Sequence, residues 1–423
     1  MRTLGVCAPL ASQGNPQRVA VSRTIFIAGA GIGGLTAALA LVAKRFRVVV
    51  LEKAERLEEV GAGLQLSPNA SRVLVGLGVR DRLEQRAVTP EAIRIMSARA
   101  GGELLRLPLG EAAATRSGAP YWVVHRADLQ MALAEQVQDH PGIELRLGTT
   151  LEDVAASPEG VTIVHRSGNS QQQDISQQDL ASVLIGADGV WSTVRQRLFP
   201  EMQPRFSGLI AWRGTFDATR LPKEFPSRCV QLWMGPDAHL VVYPIAGERQ
   251  INVVAVVPGP WNQPGWSTPG DPAEVINAFP ASHWPSQARM MLEAVDDWRK
   301  WALFGVPEGC AWSKGPIALL GDAVHAMLPF AAQGAGMAIE DAAVLAQHLG
   351  GAAIESTADI AATLEQYGQA RQARVKQVQR AARQQGRIYH LTGPTALARD
   401  LAIRALGPRL TLARQGWIYD WRL

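Results

Sequence analysis

The stretch that most constrains this chain is Thr24–Glu52. Thr24–Ala28 is a β-branched and apolar run, followed by Gly29-Ala30-Gly31-Ile32-Gly33-Gly34, which spells G-x-G-x-x-G. Leu35–Lys44 reads as a helix, and Arg47–Leu51 (RVVVL) as a second buried strand ending at Glu52. Strand, glycine turn, helix and strand in that order form the context in which this spacing binds a dinucleotide. Gly29 permits the tight turn, Gly31 lets the backbone meet a pyrophosphate, and Gly34 lets the helix pack on the strand. The pyrophosphate then rests on the helix amino end. Glu52, eighteen residues past Gly34, is placed to accept hydrogen bonds from a ribose. Gly33 and Lys53 flank these positions and are counted with the same site. Ile25–Ala43 is also nineteen residues without a charge, the length of a membrane span. Four glycines within Gly29–Gly34 argue against a continuous helix, so no span is expected.

Two later stretches repeat the arrangement of an acid at a strand's carboxyl end, where α/β folds bind ligands. Val183–Ile185 leads into Gly186-Ala187-Asp188-Gly189, with a helix expected from Val190. Ile317–Leu320 leads into Gly321-Asp322, then an apolar loop with Pro329, then the turn Gly334-Ala335-Gly336. A helix is expected to start there and run through Met337 to about Leu349. Its amino end carries free N–H groups and partial positive charge, and its small residues admit a flat ligand. Between these landmarks, His125-Arg126-Ala127-Asp128-Leu129 opens a helix to about Gln138. An arginine in a first helical turn opposes the helix dipole, which favours a functional reading of Arg126.

Net charge is only +4, from Lys+Arg 42 against Asp+Glu 38, so nucleic acid is not an expected partner. Hydrophobic content of 47% with charged content of 19% belongs to a globular chain. The cysteines, Cys7, Cys229 and Cys310, form no metal-binding spacing and fit a reduced, cytoplasmic protein; no metal site is expected. Met1–Ser22 shows no periodicity and reads as a disordered leader.

The middle segment reads as a separate, mostly antiparallel sheet. Ser207–Gly214, Val230–Met234, Ala238–Pro244 and Gln250–Val257 are expected strands, and Pro258–Pro272 a long loop. His239, Val241 and Tyr243 alternate and so share one face of their strand. A His and a Tyr on one face are able to deprotonate a phenol, although a core reading of both remains open at this point. Ser170–Asp179 (SQQQDISQQD) reads as a solvated hairpin loop, and Ile360–His390 as one long helix whose arginines 371, 374, 380, 383 and 387 mark a solvated face.

Taken together, these motifs resemble the FAD-dependent aromatic hydroxylases, single-component flavoprotein monooxygenases, and most nearly their salicylate-hydroxylase-like branch. The resemblance runs from about Thr24 to Asp420. It includes LEKAERLEEVGAGLQLSPNA, HRADL, GADGVWSTVR, AWRG at Ala211–Gly214, HLVVYP at His239–Pro244, GDAVHAMLPFAAQGAGMAIEDA and WIYD at Trp417–Asp420. It implies an α/β fold: a Rossmann-like FAD-binding domain with an inserted antiparallel substrate domain and C-terminal helices. The implied division is 23–87, 120–199 and 303–350 for FAD, 88–119 and 200–302 for substrate, and 351–423 for the helical region. The resemblance also implies that Gly29, Gly31, Gly33, Gly34, Glu52 and Lys53 hold the ADP part of a tight, non-covalent FAD. Arg126 and Asp322 would hold its ribityl–pyrophosphate region, and Asp188 would serve both FAD and a transient NADH or NADPH. Pro329, Gly334, Ala335, Gly336 and Met337 would border the isoalloxazine ring. His239 and Tyr243 would act on a substrate phenol. The implied reaction is hydroxylation of a hydroxybenzoate- or salicylate-like aromatic acid with NAD(P)H and O2, through a flavin C4a-hydroperoxide, by a monomer or homodimer. A larger polycyclic or polyketide-like substrate, or a non-catalytic FAD-binding regulator, are the alternatives.

Overall fold

The computed structural model describes residues 24–57, 63–168, 175–222, 225–263 and 265–423. The expected leader and Gly61-Ala62 of the LEKAERLEEVGAGLQLSPNA stretch lie outside the described residues.

Five runs line up as parallel neighbours in the order Ile317–Leu319, Val183–Gly186, Thr24–Ala28, Arg47–Leu51 and Ile143–Arg146, with Ser313–Lys314 antiparallel at one edge. Parallel strands need cover on both faces, which is why the four inner ones are almost wholly apolar, while the edge strand Ile143–Arg146 carries Glu144 and Arg146. Helix Ile32–Val42 packs both on Gly334–Gly351 and on Arg126–Gln138. The parallel order sends Ala28, Leu51, Gly186 and Leu319 to the same edge. Gly29, Glu52, Asp188 and Asp322 follow them there.

The second large sheet has eight strands in the order Ser267–Gly270, Trp298–Gly305, Arg205–Asp217, Gln250–Pro258, Ala238–Ile245, Cys229–Gly235, Ala92–Ser97 and Gly102–Pro108. Neighbours are antiparallel except Cys229–Gly235 with Ala92–Ser97. Its rear face buries Trp212, Trp233 and Trp298 together with Phe279 and Trp284, from beside the helices Pro272–Asn277 and Ser286–Glu293. Its front face looks toward the parallel-sheet layer.

Four local expectations need correction. The Pro258–Pro272 loop contains the edge strand Ser267–Gly270. Residues 170–174 of the expected hairpin loop lie outside the described residues, and Ile175–Asp179 belongs to an edge strand, Ile175–Ala181, paired with Gly160–Ser167; it is polar because Ser176–Gln178 are exposed, while Asp179 reaches Arg146 and His165. The helix expected from Val190 begins at Thr193, where Ser192 Oγ accepts from Arg195 N–H. The long helix, Thr357–Tyr389, starts with a capping box between Ser356 and Asp359, but Arg371 is not on a solvated face. It is 2% exposed and pairs with Glu340 at 2.9 Å and Asp341 at 2.7 Å, both fully buried. Among the described residues no helix is long and apolar enough to cross a membrane.

Candidate active site

The glycine turn is shaped by close backbone approach. Gly29 has φ +103°, a left-handed value that favours glycine, and a Cβ there would lie 2.6 Å from Ala187 O. A Cβ on Gly34 would lie 1.9 Å from Gly29 O, and one on Gly33 would meet Leu320 at 2.7 Å. Gly31 differs: nothing lies within 4 Å of its Cβ position, so its outer side is open. Gly31 caps helix Ile32–Val42 without a side-chain hydrogen bond, which leaves the first-turn N–H groups for a ligand. Glu52 closes the turn, accepting from Ala30 N–H at 2.8 Å and from Ala54 N–H at 2.9 Å. Lys53 is exposed beside it, lining a polar groove with Thr150 and Arg166.

Gln130, which sequence reasoning missed, lies across from the turn. Its Nε2 donates to Ala30 O at 2.9 Å, while its buried Oε1 has no partner among the described residues. Asp188 shows the same one-sided satisfaction: Oδ2 accepts from Val194 N–H at 3.1 Å and Oδ1 has no partner among the described residues. Burial pushes its carboxyl up. Arg195 ties this loop to the third one, donating to Val190 O and to Ala323 O, the residue after Asp322. Asp322 opens the short helix Asp322–His325, and Arg126 opens Arg126–Gln138; both are half-buried.

The third loop turns at Pro329–Ala331 and enters helix Gly334–Gly351, again with no side-chain cap. Gly334 is open on its Cβ side. A buried polar network fixes this helix start. Gln333 bonds Ser67 and Asn69, Asn69 bonds Glu340 at 2.7 Å, and Glu340 receives Arg371 and Arg374. His325 lies 2.6 Å from Asp341. The Met337 side chain is fully buried and its N–H donates to Gln333 O.

The front face of the large sheet covers this cradle. Gly63 N–H donates to Asn252 Oδ1 at 2.7 Å, and Tyr243 packs against Gly63. Phe330 of the third loop stands edge-on to His239 at 5.3 Å. Strand register brings more onto this face. Tyr243 is opposite Asn252, Val241 opposite Val254, Val254 opposite Arg213, and Arg213 opposite Arg299. Three buried donors there, Arg213 Nε, Arg299 Nε and Asn252 Nδ2, have no partner among the described residues. Burial works against the charge of Arg213. It also depresses His239, with His390 adding to the effect, and raises Tyr243 above the ordinary phenol value. At neutral pH both are therefore uncharged.

Two helix starts, an open glycine and two buried acceptors without a partner among the described residues fit a dinucleotide with hydroxyl and phosphate groups, and so define a dinucleotide-binding protein of the Rossmann-like type. The chain belongs to the FAD binding domain family, whose model matches residues 22–382. It is 37% identical to the 3-amino-4-hydroxybenzoate 2-monooxygenase PtmB3 of Streptomyces platensis, over 94% of this chain and 96% of that one. It is 34% identical to the 3-hydroxybenzoate 6-hydroxylase of Klebsiella oxytoca, over 95% and 97%. Among solved structures, a salicylate hydroxylase substrate complex superposes with TM-score 0.76 at 25% identity, covering 94% of this chain and 95% of that one.

Proposed function

We propose that the protein hydroxylates a phenolic aromatic acid, with FAD as resident cofactor and NADH or NADPH and O2 as transient co-substrates. The observation that carries this reading is the front face of the large sheet. It presents a His–Tyr pair together with three unpartnered buried donors, two of them arginines. The Nε–H of each arginine is buried without a partner among the described residues, and the half-buried guanidinium groups offer a carboxylate a forked set of donors. An aromatic acid anchored there by its carboxylate would extend its ring along Val241 and Val254 toward His239 and Tyr243.

The glycine turn, Glu52 and Gln130 would hold the ADP end of FAD, with Arg126, Asp188 and Asp322 at its middle and the helix start at Gly334 beside its ring. Bound there, FAD takes electrons from NAD(P)H and activates oxygen. The chain's own part is to orient the substrate and to take its phenol proton, since a phenolate ring is more electron-rich. His239, held neutral by burial, has a free lone pair for that proton; Tyr243, held protonated, is a donor that steadies the phenolate oxygen.

The test is a screen of 3-hydroxybenzoate, 3-amino-4-hydroxybenzoate and salicylate, read as stimulated NAD(P)H oxidation and product per NAD(P)H. General-base help is worth ~10²–10⁴-fold. His239→Ala or Tyr243→Phe is expected to keep oxidising NAD(P)H with substrate present while releasing hydrogen peroxide in place of product. A wild-type product ratio in both variants would return these residues to a core role. No stimulation by any aromatic acid would point to the larger-substrate or regulatory alternatives.

A further inference from the structure

His239 is 2% exposed, yet it does not end in the core. Its Nδ1 lies 2.7 Å from Nε2 of His390, with the ring centroids 5.0 Å apart. His390 directly follows helix Thr357–Tyr389 and comes from a part of the chain 151 residues away. Two imidazole nitrogens at this distance hold one proton between them, one as donor and one as lone pair. They therefore titrate as a pair.

The surroundings rank the two rings. Phe330 and Tyr389 stand against His239 at 5.3 and 5.4 Å, and the strands beside it bring Val256 and Met234. Tyr389 gives its hydroxyl proton to Phe330 O, and burial raises its phenol, so it stays uncharged. His390 is half-buried. Burial lowers it, and Asp237 on the exposed turn before His239 opposes that. The helix carboxyl end also favours a cation; Arg399, paired with Asp400, donates to the last carbonyls there, Ile388 O and Tyr389 O. Exposure thus rises in steps from His239 to His390 to Asp237.

We propose that His390 is the outer half of a two-histidine proton relay, which carries the phenol proton from the enclosed substrate face to solvent at the Asp237 turn. This rests on the reading of His239 as the group that takes that proton. The step balances as follows. The phenol O–H breaks and its proton bonds to His239 Nε2. The Nδ1–H proton of His239 passes to His390 Nε2, and His390 releases its Nδ1 proton to water. The result is phenolate and hydronium, with both imidazoles neutral and their tautomers exchanged. The reverse passage returns a proton to the oxygen when the hydroxylated ring becomes aromatic again, which restores the tautomers. Without His390 the proton on His239 has no outlet through this face.

The experiment uses FAD-loaded protein with 3-hydroxybenzoate bound, and follows the ultraviolet absorbance of its phenolate after a stopped-flow pH jump. His390→Gln keeps a hydrogen-bond partner for His239 but cannot relay a proton. It is expected to slow ionisation roughly tenfold or more, within the ~10²–10⁴-fold scale of acid–base assistance, with ligand affinity below the transition unchanged. In His390→Ala, imidazole added to the buffer is expected to restore the rate, which a purely structural role would not allow. Wild-type ionisation rates in His390→Gln would overturn the relay, and so would a slow His390→Ala that imidazole fails to rescue. If His239→Ala also ionises the ligand at the wild-type rate, it is the assignment of the base that fails. A ligand-free check is ¹⁵N-histidine NMR: His239 and His390 are expected to titrate as one coupled pair, and independent titration would also overturn the proposal.

Discussion

Replacing Glu52 by alanine separates a loss of fold from a loss of cofactor. Its carboxylate accepts two backbone N–H groups, Ala30 at 2.8 Å and Ala54 at 2.9 Å. The two are not equivalent. Ala54 is exposed, so water replaces the lost oxygen at little cost. Ala30 is fully buried inside the glycine turn. Its orphaned donor costs about 1–3 kcal/mol, and this falls on the protein before any cofactor arrives. A further loss falls on binding, because the remaining carboxylate lone pairs are those that would accept ribose hydroxyls. Removing such bonds costs about 1–3 kcal/mol again, or roughly 5- to 150-fold in Kd. Urea unfolding of FAD-stripped protein reads the first term, and a fluorescence titration with FAD reads the second. Glu52→Gln retains one acceptor oxygen and is expected to recover most of the stability but not all of the affinity. Unchanged stability of the stripped alanine variant would refute the structural argument; unchanged FAD affinity would refute the ribose assignment.

The glycine turn offers a matched pair of variants. Gly34→Ala forces a Cβ to 1.9 Å from a backbone oxygen and is expected to abolish soluble, flavin-loaded protein. Gly31→Ala meets nothing within 4 Å, so its melting temperature without FAD should stay near wild type while FAD affinity, by titration, falls. A wild-type affinity there would mean that no ligand approaches Gly31. Asp341 sets an acid limit. Burial pushes its carboxyl up, but His325 and Arg371 outweigh that and hold it below its ordinary value of 3.8. Its stabilisation is therefore present above that pH and is lost as pH falls through the lower, folded value. Asp341→Asn is expected to flatten the acid limb of a stability-versus-pH curve. At pH 7 it should cost up to about 3–5 kcal/mol by leaving Arg371 under-paired; an acid limb of wild-type steepness would count against this account.

What the sequence made legible was local. Gly29, Gly34 and the runs beside them announce a strand, a turn and a helix because each constraint acts within a few residues. Trp298–Gly305 (WRKWALFG) escaped notice because both of its faces mix charge with apolar bulk, with Arg299 and Trp301 in front and Trp298 and Lys300 behind. Periodicity has nothing to report in such a strand. The arginines of the long helix look alike in sequence, and only the distant Glu340 and Asp341 distinguish Arg371 and Arg374 from Arg380, Arg383 and Arg387. Arg213 meets Arg299 through register between strands, and His239 meets His390 through the docking of a helix end. Neither meeting leaves a trace in local spacing.

The last residues of the chain are tied to the cofactor-facing helix. Arg374 holds Glu340 and also donates to Trp417 O and Ile418 O, while Arg72 reaches Trp421 O. Trp421 lies over both Arg371 and Arg374. During synthesis this has a temporal meaning. The glycine turn and the Ser67, Asn69 and Arg371 supports of the opposite helix start all emerge before Trp417 and Trp421, so the clasp from the two tryptophans is the last contact this helix gains.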